Sequence, residues 1–447
     1  MNPFVPFDEP ICGERLRSAA NQAIHSSSPV AVYGRVAEAR GTLIRVAGLD
    51  ARIGELCELQ MNNGFTAMAE VTGLADECAL LMPFDELEGL SLGARVVPLR
   101  RGHEVPVGDV LLGRVLNGFG YPIDDKGPLQ TTDWRPVSSS SPEPLNRKPI
   151  LKAFDTGVRA IDGLLTIGQG QRVGIFAPAG VGKSTLSAMM VRASVVDVCV
   201  IALIGERGRE VGEFIQHTLG AEGMKRSVVV AATSDSSASE RVKAGFVATT
   251  IAESFRSRGQ KVLLVMDSVT RLARALREVG LASGEPPARR GFPPSVFATL
   301  PRLLERAGSD NHGSITAIYT VLVENEEDSD PIAEEVRSIL DGHIILSRSI
   351  AEKNQYPAID ILSSISRLMP FVTETPHRAA ANKLRSLLSR YREIELLIQV
   401  GEYRAGSDST ADEAIAKLPA IKDFLNQSTS EPENSKKTIE KLLKIMA

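Results

Sequence analysis

Nine consecutive residues, Ala177-Pro178-Ala179-Gly180-Val181-Gly182-Lys183-Ser184-Thr185, hold the clearest chemistry in this chain. The apolar run at 172–176 before them reads as a buried strand, and 186–191 after them reads as a helix. A glycine-rich turn from strand to helix, closed by Gly-Lys-Ser/Thr, is a P-loop. Its glycines let the backbone curl so that successive N–H groups face phosphate oxygens, and the helix N-terminus adds its positive dipole end. Lys183 is the candidate for the β- and γ-phosphates and the Ser184 hydroxyl for Mg²⁺. Ala179, Gly180, Val181, Gly182 and Thr185 complete the cradle. Ala177 stands where the pattern has its first glycine, and Pro178 restricts the backbone and removes one N–H. Lys183, in such a loop, is expected to be open to solvent. The run implies binding of a nucleoside triphosphate.

Hydrolysis of that ligand needs a positioned water, a metal ion and a group that absorbs charge developing on the γ-phosphoryl. Leu263-Leu264-Val265-Met266-Asp267 ends an apolar strand on a carboxylate, the position from which such folds hold the Mg²⁺ water shell. Gly205-Glu206-Arg207-Gly208-Arg209-Glu210 follows the next strand after the P-loop helix. Glu206 then falls at the carboxyl edge of a sheet, where ligands collect. It is the candidate for holding the attacking water, and Arg207 for reaching the phosphate. The bland reading of the same string is a solvated charge cluster on a loop.

These side chains need a frame. Strand patterns at 198–204, 227–232, 261–266, 314–323 and 343–346 alternate with helical ones at 209–219 and 237–258, the latter closed by Gly259. In the first helix, Val211, Phe214, Ile215 and Leu219 share a face. Such alternation predicts an α/β core, a mostly parallel sheet with helices on both faces. Short alternating runs at 30–36, 43–46, 55–59, 68–71, 79–82 and 95–99, punctuated by glycines, predict a small β-barrel. A transitional stretch covers 111–120, and 138–144 is linker-like. From 371 the strand signal stops, and Leu384, Leu387, Leu388, Tyr391, Ile394 and Ile398 form a helical stripe ended by Gly401. Further helical patterns surround 415–425 and 439–446. The division expected is a docking segment at 1–28, a barrel domain at 29–99, a nucleotide-binding catalytic domain at 100–370 and a helical domain at 371–447.

Bulk composition narrows the functions. The 447 residues are 43% hydrophobic and 24% charged, with a net charge of −4, so no overall basic field invites nucleic acid. Residues 30–99 hold only Tyr33, Phe65 and Phe84 as aromatics, without a basic-aromatic cluster, which counts against an RNA-translocating ring. The four cysteines are scattered without metal spacing and read as reduced thiols. No apolar stretch is long enough to span a membrane, and Asp8 and Glu9 argue against a signal peptide. A cytoplasmic chain, able to sit against a membrane by docking, is the expectation.

Taken in order, the P-loop, Gly-Glu-Arg-Gly-Arg-Glu-Val, Met-Asp-Ser-Val-Thr-Arg, Gly-Phe-Pro-Pro-Ser-Val-Phe at 291–297, Asp-Pro-Ile-Ala at 330–333 and Tyr-Pro-Ala-Ile-Asp with Ser-Ile-Ser-Arg at 356–367 resemble the rotary ATPase superfamily. Within it the chain resembles the type III secretion ATPases, relatives of ATP synthase catalytic subunits that power export in injectisomes and flagella. The resemblance implies a RecA-like P-loop core, ATP with Mg²⁺, and a homohexamer with nucleotide at each subunit interface. It also implies Glu206 as the residue that orients water, Arg207 and Arg271 near the phosphates, Arg367 as an arginine finger entering the neighbouring site, and Tyr356 packing on adenine. The implied partners are further copies of the chain, a central coiled-coil stalk, a peripheral stator or regulator, the export gate and chaperone–effector complexes, with no nucleic acid. An ATP synthase or ion-pumping subunit is the competing reading. The run Glu395-Leu396-Leu397-Ile398-Gln399-Val400-Gly401-Glu402-Tyr403 resembles the export family and, with 52–57, the injectisome branch. A non-catalytic scaffold is disfavoured because Lys183, Glu206, Asp267 and Arg367 are all present.

Overall fold

The computed structural model describes residue 17 and residues 32–61, 64–84, 87–323 and 330–447. The expected docking segment at 1–28 lies outside the described residues, Arg17 excepted. Two compact units are present. In the first, β1 (Gly34–Arg40), β2 (Leu43–Ala47), β3 (Glu55–Gln60), β4 (Thr66–Ala75), β5 (Cys78–Pro83) and β6 (Arg95–Gly102) close into a barrel in the order β1-β2-β5-β4-β3-β6. Alternation along the strands turns Ile44, Val46, Leu59, Ala69, Leu81 and Val96 inward. The first strand starts later than its pattern suggests, at Gly34, where any Cβ would lie 2.5 Å from Val46. The fourth runs longer, bent by a register shift between Val71 and Gly73.

The second unit is built on a nine-stranded sheet. Its main path takes β7 (Val115–Leu116), β8 (Arg172–Ala177), β9 (Val198–Ile204), β10 (Ser227–Ala232), β11 (Lys261–Asp267), β12 (Ser314–Leu322), β13 (Gly342–Leu346) and β14 (Ile359–Ser366) in the order β14-β13-β8-β12-β11-β9-β10-β7. Neighbours on the path are parallel except β13 and β14, which are antiparallel. Strand β7 comes from the stretch at 111–120; two residues are too few to carry a periodic signal.

Why the sheet is covered on both faces can be read along β9. All seven of its residues are buried, as a strand between two helical layers requires. Val198, Val200, Ala202 and Ile204 join one core with α4 (Ala238–Arg256), α5 (Val269–Ala282), α6 (Pro294–Leu304) and α7 (Pro331–Ile339). Cys199, Ile201 and Leu203 join the other with α1 (Arg159–Leu164) and α2 (Lys183–Ala193). Helix α4 starts with an N-cap, the Ser237 hydroxyl accepting from Glu240 N, and Gly259 turns the chain beyond its end at φ 86°. Helix α3 (Gly208–Glu213) does not end the expected helical stretch at 219. A π-helical turn, Phe214–Leu219, carries the chain into a further turn ending at Lys225. That wider turn departs from the 3.6-residue period, yet the expected face holds: Val211 and Leu219 are buried, and Phe214 and Ile215 pack against the same core.

At the C-terminal end, α8 (Thr375–Gln399), α9 (Ser409–Leu425) and α10 (Ser435–Met446) follow the expected stripe. Leu384, Leu387 and Ile394 are buried, while Leu388 and Tyr391 are half-buried. Asp408 and Asn434 cap α9 and α10. The buried Ala414, Ile421, Phe424 and Leu442 enter the same core as α1 and α2.

Candidate functional site

The P-loop leaves the carboxyl end of β8, at the centre of the sheet. Gly180 and Gly182 take φ values of 82° and 97°, and nothing lies where their Cβ atoms would be, so backbone conformation rather than space demands glycine there. Gly182 is the N-cap of α2 and offers no side chain to the first turn. The leading N–H groups of an eleven-residue helix are thus left for an anion.

Parallel strands β11 and β9 bring two carboxylates to the same edge. The Lys183 ammonium is buried, against the expectation of an open loop, and Nζ donates to Asp267 Oδ1 at 2.5 Å. Glu206 Oε1 lies 3.9 Å from the same nitrogen. The Thr320 hydroxyl on β12 also donates to Asp267 Oδ1, at 2.8 Å, and Ser184 Oγ donates to Oδ2 at 3.4 Å. Thr320 escaped the sequence reading. Its strand also buries the hydroxyls of Ser314, Thr316 and Tyr319, each of which must find a partner, so nothing in the pattern singles Thr320 out.

Arg271, one turn into α5, flanks Glu206: Nη2 donates to Oε2 at 3.4 Å and Nε lies 3.2 Å from Oε1. Gly205 makes room for it, because a Cβ at that position would sit 2.7 Å from Arg271 Cδ. Burial and the nearby Asp267 charge push the Glu206 carboxyl up to about 7, against the opposing pull of Lys183 and Arg271. Arg207 does not join this cluster. It sits at the N-cap of α3 with its side chain in solvent, 3.3 Å from Glu210. The guanidinium beside Glu206 is Arg271's, because Arg207 begins a helix that leads away from the sheet edge. Ser184, Thr185, Glu206, Asp267, Arg192 and Thr429 line a cavity of about 480 Å³ here, within the range of small-molecule sites.

Two expected residues stand apart. Tyr356 precedes β14 where Ile359 pairs with Leu346, at the P-loop edge of the sheet, and is 43% exposed. Arg367 follows β14 at its other end. Its N–H donates to Asp341 O at 3.1 Å, and Asp341 N in turn donates to Arg172 O at the start of β8. The P-loop leaves the far end of that strand, roughly 17 Å away at ~3.3 Å per residue. Arg367 is exposed and makes no ion pair among the described residues. Its guanidinium is therefore remote from its own P-loop.

Residues 157–366 match the ATP synthase alpha/beta family nucleotide-binding domain, and 36–100 match the beta-barrel domain of the same family. Residues 373–444 match the T3SS EscN ATPase C-terminal domain. A type 3 secretion system ATPase of Xanthomonas euvesicatoria is 58% identical over 414 residues, covering 92% of this chain and 94% of that one. The chain belongs to the type III secretion ATPase family. A flagellum-specific ATP synthase of Treponema pallidum is 49% identical over 421 residues, 94% of each chain. The assembled ATPase EscN of the enteropathogenic E. coli type III secretion system superposes with a TM-score of 0.89 at 48% identity, over 93% of this chain and all of that one. EscN in complex with its central stalk EscO gives 0.86 at the same identity and the same coverage of both chains. Membership of this family, with its nucleotide-binding domain, makes the chain an ATP-hydrolysing enzyme of type III secretion protein transport. The barrel, the mostly parallel sheet and the C-terminal helices are the architecture expected of it. Among the described residues no helix is long and apolar enough to cross a membrane.

Proposed function

We propose that the chain works as a homohexameric ring in which each ATP is hydrolysed between two copies, in the injectisome rather than the flagellum. The observation that carries this reading is the pair of sheet ends: the P-loop at one edge, and at the other an arginine with no ion pair among the described residues. Lys183 leaves Asp267 for the β- and γ-phosphates when nucleotide enters, and the α2 N-terminus holds their oxygens. Glu206, oriented by Arg271, accepts a hydrogen bond from the attacking water and polarises it. Arg367 of the neighbouring copy neutralises the charge that develops on the γ-phosphoryl. Tyr356 packs on the adenine base.

Ser184 Oγ and the Asp267 carboxylate fit Mg²⁺: they are hard oxygen donors side by side, and Mg²⁺ takes few protein ligands when phosphates and water supply the rest. No group of three or more His, Cys, Asp or Glu side chains among the described residues is placed to hold a metal ion unaided. Held there by Ser184 and Asp267, the ion would supply charge neutralisation for the phosphates.

Assembled EscN and its complex with the stalk EscO support a ring with a central stalk. The reading extends to a peripheral stator, the export gate and chaperone–effector complexes at the cytoplasmic face of the inner membrane, with cargo released and unfolded there. An ATP synthase subunit is the second reading, favoured by the nucleotide-binding and beta-barrel domains it shares with that family. ATP turnover per chain, measured across protein concentration with assembly followed by sedimentation, tests the shared site. Activity rises steeply as rings form; undiminished turnover by a sedimenting monomer overturns it. Whether the partners that co-purify are flagellar decides the branch.

A further inference from the structure

Tyr356 is held by its main chain at two points, both from the connection between α9 and α10. Its N–H donates to Asn426 Oδ1 at 3.2 Å, and its carbonyl accepts from Gln427 N at 2.7 Å. Asn426 is exposed. Gln427 is 3% exposed and every polar atom of its side chain is used. Oε1 accepts from Arg159 N, and Nε2 donates to both Gly157 O and Glu431 O, each at 2.8 Å. Such a residue is expensive to bury unless the fold needs what it joins.

What it joins leads to the P-loop helix. Gly157 N donates to the buried Asp162 Oδ2 at 2.9 Å, which fixes the peptide from the other side. Gly157 also abuts the last residue of α2, for a Cβ there would sit 2.3 Å from Ala193 Cβ. Two residues beyond Gln427, Thr429 O accepts from Arg192 Nη2 on α2 at 2.9 Å. One connection therefore grips the backbone of Tyr356 and registers it against the C-terminal end of the helix whose N-terminus is the phosphate cradle.

We infer that Gln427, with Asn426, is a positioning residue for the nucleotide base: it sets the distance between the Tyr356 ring and the P-loop, and so the affinity contributed by the base. This rests on the reading of Tyr356 as the base-contacting residue. Neither residue touches the reacting atoms, so the effect falls on KM and not on kcat.

The experiment compares ATP with inorganic tripolyphosphate, which has the phosphates and no base, as a competitive inhibitor in the presence of Mg²⁺. Gln427→Ala raises the KM for ATP about tenfold, the loss of its side-chain hydrogen bonds being spread over the loop, with kcat within about twofold and the Ki of tripolyphosphate unchanged. Gln427→Glu keeps the acceptor and loses both donors, so it behaves as badly. Exposed Asn426→Ala carries the test if either variant fails to fold, with a smaller rise in KM of roughly threefold. Tyr356→Ala is the reference and shows the same split. If Tyr356→Ala leaves the KM for ATP unchanged, the base-site reading falls and the inference with it. If Tyr356→Ala splits ATP from tripolyphosphate while the Gln427 and Asn426 variants weaken both alike, or neither, the inference alone is overturned.

Discussion

The two ends of β14 make opposite demands on the chain. Tyr356, at the P-loop edge, is gripped at N–H and carbonyl by Asn426 and Gln427. Arg367, just past Ser366 where β14 pairs with Gly342 at the opposite edge, has a backbone bond to Asp341 and a side chain in solvent. The Tyr356 end is held by its own copy; the Arg367 end has a cation that makes no ion pair among the described residues. The P-loop lies at the Tyr356 edge and Arg367 at the other, so the difference teaches which parts of the reaction a subunit can supply for itself.

Breaking the far end gives the largest effect. Arg367→Ala lowers ATP hydrolysis by about 10³–10⁵, the usual worth of an arginine finger, while nucleotide binding survives. Mixed with Lys183→Ala, which retains the finger and lacks the phosphate lysine, it regains activity wherever an intact P-loop meets an intact arginine. Verified mixed rings that hydrolyse nothing above background contradict a site shared between copies.

Within the completed edge, Glu206→Gln keeps shape and loses the carboxylate. Hydrolysis drops by about 10²–10⁴ with ATP still bound, and near-parental turnover moves the role elsewhere, to Glu210 first. Lys183→Ala weakens ATP binding by about 10–100-fold, the scale of a lost hydrogen bond to a charged group. It also destabilises the nucleotide-free protein, because buried Asp267 keeps only its hydroxyl donors. A thermal scan without nucleotide that matches the parent removes that ion pair from the account.

The smallest effect sharpens the electrostatics. With Glu206 raised from 4.5 to about 7, kcat/KM falls as pH drops through about 7, because the free enzyme's base takes up a proton. Arg271→Ala removes a charge that favours the carboxylate and shifts this limb to higher pH. The stability effect has the opposite sign from a carboxylate in a strong ion pair. Ionised Glu206 burdens the fold, so Glu206→Gln gains stability over the parent as pH rises from 4.5 to about 7, and the gain is level above that. A pH-independent difference between the two melting temperatures sinks the assignment.

Most of the phosphate end was legible because its signals are local. A strand, two positive-φ glycines and Lys183 lie within a dozen residues, and β11 ends on Asp267 because a parallel strand delivers its last residue to the ligand edge. What could not be read was set by distant packing. The guanidinium beside Glu206 is that of Arg271, 65 residues away, which the family resemblance named and the local charge string, offering adjacent Arg207, did not. The burial of Lys183 follows from Asp267 across a strand pairing, and the grip of Gln427 on Tyr356 spans a separation that no periodicity reports. The strands of the barrel were found, three of them from their first residue, while β1 was started too early, since Gly34 lies too close to Val46 to carry a side chain.

The position of Arg367 has a genetic consequence. Where each site draws its lysine from one copy and its arginine from the next, a chain lacking both spoils two sites: its own and its neighbour's. With half the copies defective in this way, roughly a quarter of the sites in a closed head-to-tail ring stay whole, where a self-contained site would leave half. A cell that carries one sound and one doubly defective version of this chain therefore falls below the activity its sound copies alone would give, and the defect behaves as dominant.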